Sequence, residues 1–340
     1  MNEAEASDGG RGRPDGGRGR RDGEGGRPGG RGLAELPLDQ VRTLLAVVDE
    51  GTFDAAAAVL HVTPSAVSQR VKALEQRTGR VLLTRTRPVR ATESGEVVVR
   101  FARQLARLEN DAREELGMSA GAEPTRVSVA VNADSLATWF LPALGRVPGE
   151  LRLSYELRRE DESHTAALLR EGRVMAAVTS SPDAVTGCSV RALGRMRYVA
   201  AAAPGCAERW FGDEALREPR GERNLAAAFT RAPVVVFDRR DDFQDVFVRR
   251  LGGRGAGAWR HHVPTSEGFL DSVVAGLGWG MVPVAQAGEL LRTGALTELT
   301  PGRPMDVPLY WQQWKLDSPA LAAVAAAVVA GAAEALGDGG

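Results

Sequence analysis

The sequence predicts an α+β multidomain chain with three parts: a helix-turn-helix unit, one long helix, and a second half of open-sheet α/β architecture. Three observations carry this. Residues 52 to 78 hold two runs of helical periodicity interrupted by His61-Val62-Thr63; residues 92 to 117 keep apolar side chains at 3-4 spacing; and from Thr125 short β-branched runs alternate with helical patterns.

The 340 residues suffice for two or three domains with separate cores. The formal net charge of -1 makes no whole-chain case for a nucleic acid partner, so charge must be read locally. The two cysteines, Cys188 and Cys206, form no CxxC and stand in no Cys/His cluster, which argues against a disulfide scaffold and a structural zinc site. The N-terminus lacks an apolar signal core, and no apolar run reaches the ~18 residues that span a bilayer. A cytoplasmic chain with no membrane partner and no cofactor is expected.

Residues 1 to 32 are dominated by Gly, Arg, Asp and Glu and contain too few apolar side chains to offset their ordering entropy, so a disordered tail is expected. Gly-Arg tracts can hold nucleic acid through charge. Asp8, Asp15, Asp22 and Glu24 nearly cancel the arginines, however, which favours a passive tail or sequence ahead of the true start.

The first domain is read over residues 33 to 95. Leu38, Val41, Leu44, Leu45 and Val48 follow Pro37 at helical spacing, and Gly51 ends that helix. Phe53, Ala56, Ala57 and Leu60 form a second. Thr63-Pro64, an N-cap followed by proline at the first helical position, opens a third. Its inward face is Ala66, Val67, Val71 and Leu74; Ser65, Ser68, Gln69, Lys72 and, at the edge, Arg70 face outward. Small polar residues at a helix start, with Gln and basic side chains after them, suit a major groove, where they reach base edges and phosphates. Between positions 70 and 90 the basic residues Arg70, Lys72, Arg77, Arg80, Arg85, Arg87 and Arg90 are opposed only by Glu75. That local excess is the footprint of a phosphate-contacting face. Gly79 is the expected C-cap, and Val81 to Ala91 reads as two short strands around Pro88.

Thr92-Glu93-Ser94-Gly95 starts a linker helix over residues 92 to 117, with Val98, Phe101, Leu105, Leu108 and Ala112 as a short heptad seam, open to pairing with a second chain or to packing against its own domain. One recognition helix reads only a few base pairs, so a homodimer or homotetramer is expected. Met118 to Pro124 reads as a hinge. The rest of the chain, residues 125 to 335, is read as strands at Val127 to Val131, Leu153 to Leu157, Val174 to Val178, Arg197 to Ala203, Val234 to Phe237, Gly280 to Pro283 and Leu309 to Gln312. Helices are placed at Thr165 to Arg170, Asp242 to Leu251 and Gly268 to Ala275, with a packed amphipathic Ala-rich helix at 320 to 335.

In open α/β sheets ligands sit beyond the carboxyl ends of strands. Three loops fit: Asn132-Ala133-Asp134-Ser135 after the first strand, Phe237 to Asp242 after a buried strand, and Thr265-Ser266-Glu267 at a helix start. Asp134, Ser135, Asp242 and Ser266 are also good N-caps, and both readings stay open. Asp134, Asp241, Asp242 and Glu267 together on one cleft would suit a cationic side chain, and helix N-termini with Ser or Thr hydroxyls would suit an α-carboxylate.

The string Thr52-Phe53, Ala56-Ala57, Leu60, Thr63 to Ser68, Val71, Leu74-Glu75, Gly79, Leu82-Leu83, Arg85 and Thr92 to Gly95 is similar to the N-terminal signature of LysR-type transcriptional regulators. The resemblance implies a winged helix-turn-helix with Arg85, Arg87 and Arg90 along the DNA backbone, and a linker helix that pairs antiparallel. It also implies a two-lobed, periplasmic-binding-protein-like effector domain, crossing to the second lobe near Arg197 and returning near Thr297. Val131 to Trp139, Leu141 to Leu144, Ala232 to Asp238 with Asp241-Asp242, Ser266 to Phe269, Leu299 to Gly302 and Arg85 to Pro88 resemble the ArgP/LysG branch. That narrower likeness implies a sensor of L-lysine or L-arginine that acts on promoter DNA, engages RNA polymerase when activating, and controls a basic amino acid exporter gene. It makes Asn132, Asp134, Ser135, Asp241, Asp242, Ser266 and Glu267 the candidate effector-binding residues. Another effector and regulon, or inhibition at a replication origin, are the alternatives. An enzyme is not expected: no Ser-His-Asp set, P-loop or metal-ligand spacing occurs, and His261-His262 reads as surface loop.

Overall fold

The computed structural model describes residues 36–118, 124–160, 162–212 and 222–336. The expected tail at 1–32 lies outside them, as does most of the hinge.

Helices α1 (Leu38–Glu50), α2 (Phe53–Val59) and α3 (Pro64–Thr78) form the helix-turn-helix unit. Gly51 ends α1 at φ 73° and Gly79 ends α3 at φ 65°, left-handed positions that favour glycine. Two threonines set the helix starts: the Thr52 hydroxyl accepts from the Ala55 amide at 3.1 Å, and Thr63 accepts from Ala66 at 3.2 Å. Val41, Leu44, Val47, Ala56, Ala57, Val67, Val71 and Leu74 close the core. Strands β1 (Leu83–Thr84) and β2 (Arg90–Ala91) pair antiparallel as the wing. The wing is docked by Glu75, whose carboxylate accepts from the Leu82 amide at 2.8 Å.

Helix α4 (Glu93–Glu115) continues from the wing. Val98, Val99 and Ala102 are buried in the core of the helix-turn-helix unit, so Val98 does not belong to a seam open to a second chain. The exposed apolar stripe runs instead through Val97, Phe101, Leu108 and Leu116, all 39% exposed or more. Three valines in succession, at 97, 98 and 99, hid this offset, because spacing alone does not say which of them meets the domain's own core.

Beyond Pro124 come β3 (Thr125–Val131), α5 (Ala133–Ser135), a π-helical turn at Leu136–Phe140, α6 (Leu141–Leu144), β4 (Leu153–Arg159), α7 (Glu162–Arg170) and β5 (Ala176–Thr179). There follow β6 (Cys188–Ala202), α8 (Pro204–Trp210), α9 (Glu222–Arg231), β7 (Val234–Val236), α10 (Phe243–Arg250) and β8 (Arg260–His262). The chain ends with α11 (Ser266–Val274), β9 (Gly280–Pro283), α12 (Val284–Thr293), β10 (Thr297–Glu298), β11 (Met305–Trp314) and α13 (Pro319–Ala335).

The large sheet has the order β10-β6-β11-β5-β3-β4, with β9 also on β6. β3, β4 and β5 are parallel and belong to the first lobe. β7 and β8 pair in parallel, and with β9 and β10 they build the second lobe. The long antiparallel strands β6 and β11 run through both lobes, paired from Tyr198 opposite Met305 to Cys188 opposite Trp314, with a bulge where the register shifts between Leu309 and Tyr310.

Both crossing strands exceed the predicted lengths: β6 begins at Cys188 rather than Arg197, and β11 covers Met305 to Trp314 rather than Leu309 to Gln312. The interleaved Arg191, Arg195 and Arg197 and the glycine at 194, with φ 134°, dilute the strand pattern. His261 and His262 lie in β8, not in a loop, because β7 offers a parallel partner that no local pattern announces. The first lobe packs Val127, Val129, Phe140, Trp311 and Leu321 in its core. In the second, Phe229 meets Phe211, Phe247 and Trp279 edge-on, with centroids 4.6 to 5.4 Å apart.

Candidate DNA interface and effector cleft

On α3, Ser65, Ser68, Gln69 and Lys72 are exposed, as are Arg85, Arg87 and Arg90 on the wing. Burial of Val67, Val71 and Leu74 on the opposite face fixes which way these side chains point, because a helix presents i, i+4 and i+7 together. The wing is tightened by the Thr84 hydroxyl donating to the Arg90 carbonyl at 3.0 Å and by Thr86 donating to Pro88 at 2.8 Å. Arg70 is held differently. Its guanidinium lies 3.8 Å from the Asp39 carboxylate and 3.5 Å from the Thr43 hydroxyl, so it rests against α1. Its geometry is that of a strut between α3 and α1 more than of a base reader.

The carboxyl ends of β3 and β4 face the second lobe, and Asp134 is the centre of that cleft. One carboxylate oxygen accepts from the Ser266 hydroxyl at 2.6 Å, the other from the Tyr198 phenol at 2.7 Å. Asp134 belongs to the first lobe, Ser266 opens α11 in the second, and Tyr198 stands on crossing strand β6. The Gln286 amide donates to the Ser266 hydroxyl at 3.1 Å, and Tyr198 packs edge-on against Phe243 at 4.9 Å. Burial pushes the Asp134 carboxyl above its ordinary pKa; the two hydroxyl donors pull the other way, and the negative charge of Glu267 adds to the rise. Its hydrogen-bond donors are neutral hydroxyls, and among the described residues no cationic side chain pairs with it.

A second interlobe contact lies beside it. Arg159 stands opposite Val131 at the end of β4, donates to the Pro264 carbonyl at 2.6 Å, and places its guanidinium 5.6 Å from the centroid of Phe237. Asn132 and Ser135 are buried, and among the described residues neither the Asn132 side-chain Oδ1 nor the Ser135 hydroxyl has a hydrogen-bond partner. Such orphaned polar atoms are costly unless a ligand or water completes them.

The remaining candidates divide. Ser266 and Glu267 stand at the cleft, the latter exposed. Asp241 turns both oxygens back onto its own loop, accepting from the Phe237 amide at 2.7 Å and the Phe243 amide at 3.0 Å. Burial raises its pKa and those backbone donors oppose the rise, so the capping reading describes it. Asp242 is exposed and lies 3.5 Å from Arg249, a surface ion pair on its own helix. Tyr198, Arg159 and Gln286 carry no motif of their own in the sequence: each meets the cleft through a partner 20 to 105 positions away, and Ser266 meets Asp134 across 132. Among the described residues no group of three or more His, Cys, Asp or Glu could hold a metal, and no helix is long and apolar enough to cross a membrane.

Residues 38–96 match the bacterial regulatory helix-turn-helix protein description of the lysR family, and residues 120–333 match the LysR substrate binding domain. The chain belongs to the LysR family of transcription regulators. It is a winged helix-turn-helix regulator with a two-lobed effector domain, not an enzyme. It is 42% identical over 301 residues to the lysine export transcriptional regulatory protein LysG of Corynebacterium glutamicum, covering 87% of this chain and 98% of that one. Among solved structures it resembles ArgP from Mycobacterium tuberculosis, with a TM-score of 0.81 and 43% identity, covering 89% of this chain and all of the other. Full-length LysG from C. glutamicum with bound effector Arg gives 0.76 and 40%, with the same coverage.

Proposed function

We propose that this LysR regulator binds promoter DNA in the cytoplasm as a homodimer or homotetramer, senses L-lysine or L-arginine between its lobes, and controls a basic amino acid exporter gene, engaging RNA polymerase when it activates. The observation that carries the reading is the Asp134 carboxylate, held in the cleft by Ser266 and Tyr198 with no cationic partner. An ammonium or guanidinium is the group that satisfies it, and Glu267 beside it extends the anionic surface. The orphaned Asn132 side-chain Oδ1 suits an N–H donor of the same ligand. The LysG relative from C. glutamicum supports the class of ligand, since it is named for lysine export and its structure holds arginine. The exposed stripe Val97, Phe101, Leu108 and Leu116 is the face we assign to chain pairing.

Ligand entry requires the Ser266–Asp134 and Arg159–Pro264 contacts to part. A ligand that binds the open and closed arrangements unequally then shifts their populations, and with them the spacing of the DNA-binding units and the bend they impose.

The test is thermal melting of the full chain against a panel of amino acids. At about 100 times its dissociation constant a ligand adds roughly 2.7 kcal/mol to the fold that binds it. Stabilisation by lysine or arginine and by no neutral or acidic amino acid is expected; the same shift with leucine or glutamate would refute a cation-specific cleft.

At the DNA face, Ser68→Ala and Gln69→Ala are each expected to cost about 1–3 kcal/mol of operator affinity, because base-edge contacts carry discrimination of that size. Arg85→Ala on the wing is expected to weaken operator and random DNA alike and to flatten the salt dependence by about one unit of slope. Competition binding in a salt series reads both.

A further inference from the structure

The linker helix has a second face that pairing of chains does not use. Arg100, Arg103 and Arg107 follow one another at 3-4 spacing along α4, on the side turned to the effector domain. The Arg103 guanidinium donates to the Glu171 carbonyl at 2.9 Å and is also ion-paired with Asp49, in the last turn of α1. Arg100 donates to the Arg170 carbonyl at 3.3 Å. Farther along, Arg107 is ion-paired with Asp111, and both are nearly buried beside Thr125, Leu151 and Pro319. One arginine therefore holds the helix-turn-helix unit and the first lobe at once.

The contact is fitted as well as charged. Gly172 follows the two carbonyls at φ 70°, and a Cβ there would stand 2.9 Å from the Arg100 Cα. That proximity lets α4 lie directly on the turn that closes α7. Glu96, one turn earlier on α4, lies close enough to Glu171 for the charges to repel, and burial with that repulsion raises its pKa. The two acidic side chains oppose the contact and the arginines favour it.

The turn is joined to the cleft through packed elements. α7 packs on β5 and β3, β3 leads directly to Asn132 and Asp134, and Arg159 ends the neighbouring β4. A movement of the first lobe on ligand binding therefore carries Glu171 and Gly172 with it.

We infer that Arg103, by joining Asp49 of the helix-turn-helix unit to the Glu171 carbonyl of the first lobe, is the positioning residue through which effector occupancy sets the orientation of the DNA-binding unit within one chain. This rests on the effector reading above, and the experiment keeps the two apart. Arginine and lysine affinity is measured by calorimetry, and operator affinity with and without the amino acid by gel shift, for the natural chain, Arg103→Ala and the conservative Arg103→Lys. Hydrogen exchange follows the end of α1 and the turn at residues 171–174.

Arg103→Ala is expected to bind the amino acid within about twofold of the natural chain while the ratio of operator affinities with and without it falls to within about twofold of one. Arg103→Lys, which has the charge but not the fork that spans two acceptors, is expected to fall between. Exchange at both sites should quicken together in Arg103→Ala. A natural response retained by Arg103→Ala overturns the inference, as does a natural chain that binds amino acid with no change in operator affinity. If the natural chain binds neither amino acid, the effector reading fails instead, and exchange decides: unchanged protection in Arg103→Ala overturns the joint itself.

Discussion

Replacing Gly95 with alanine is expected to remove operator binding while leaving the effector domain folded. A Cβ at position 95 would stand 1.9 Å from the Leu82 carbonyl oxygen and 2.9 Å from its carbon, and both are backbone atoms that no rotamer change can move aside. The approach is close because the start of α4 is sewn to the entry of the wing. The Thr92 hydroxyl donates to the Val81 carbonyl at 2.7 Å and accepts from the Gly95 amide at 3.1 Å, and the Thr92 amide donates to the Leu82 carbonyl at 2.9 Å. Relief requires α4 to retreat, which unpacks Val98 and Val99 from the core that orients α3. Overpacking of this kind costs about 3 kcal/mol or more. In a small domain, at roughly 4 °C of melting temperature per kcal/mol, that is a loss of at least about 12 °C. Melting followed by circular dichroism, together with operator binding, checks it. Gly205→Ala is the control: it sits in α8, and its added Cβ meets nothing within 4 Å. Gly95→Ala that melts with the control would show that the wing and α4 slide freely on each other.

How far these features were legible depends on how local their causes are. The helix-turn-helix unit declared itself because its signals are short-range. Thr52 and Thr63 cap helices three residues ahead, Pro64 opens one, and Gly51 and Gly79 occupy left-handed positions, all within one turn of chain. The order of strands and helices around the first lobe was legible for the same reason, since parallel strands buried on both faces read as β-branched runs. Strand limits were not, because β6 and β11 are specified by each other across more than a hundred residues. The cleft was legible in part. Asp134 and Ser266 stood out as residues beyond strand ends, yet their hydrogen bond joins positions 132 apart, and Tyr198 and Arg159 looked like ordinary strand residues. Asp241 and Asp242 show the opposite failure. A run of carboxylates in sequence suggests a shared site, but one turns into its own loop and the other toward solvent.

Asp134→Asn should separate binding from stability. The substitution keeps the shape and can retain contacts with both hydroxyls, since Ser266 and Tyr198 can accept as well as donate. It removes the charge. Losing one partner of a buried, hydrogen-bonded charge pair costs about 2–5 kcal/mol, so affinity for lysine or arginine is expected to fall about 30-fold or more. The ligand-free protein should respond in the other direction. Burial raises the Asp134 pKa, so the folded state holds its proton more firmly than the unfolded state. The stabilising contribution of that proton is complete below the unfolded pKa and is lost as pH rises through the folded one, so the natural carboxyl weighs against the fold more at neutral pH than in acid. Asparagine does not titrate. The variant should therefore match or exceed the natural chain in melting temperature at neutral pH, and the gain should shrink as the solution is acidified toward the ordinary carboxylate range. A bound cation reverses the natural protein's preference, drawing the carboxyl pKa down, so its affinity for lysine should weaken over the same acid interval and that of the variant should not. Calorimetry and melting across a pH series read all three. If Asp134→Asn binds lysine and arginine as the natural chain does, the cation is held elsewhere in the cleft, and if it is less stable than the natural chain at neutral pH, the carboxylate is solvated better than its surroundings indicate.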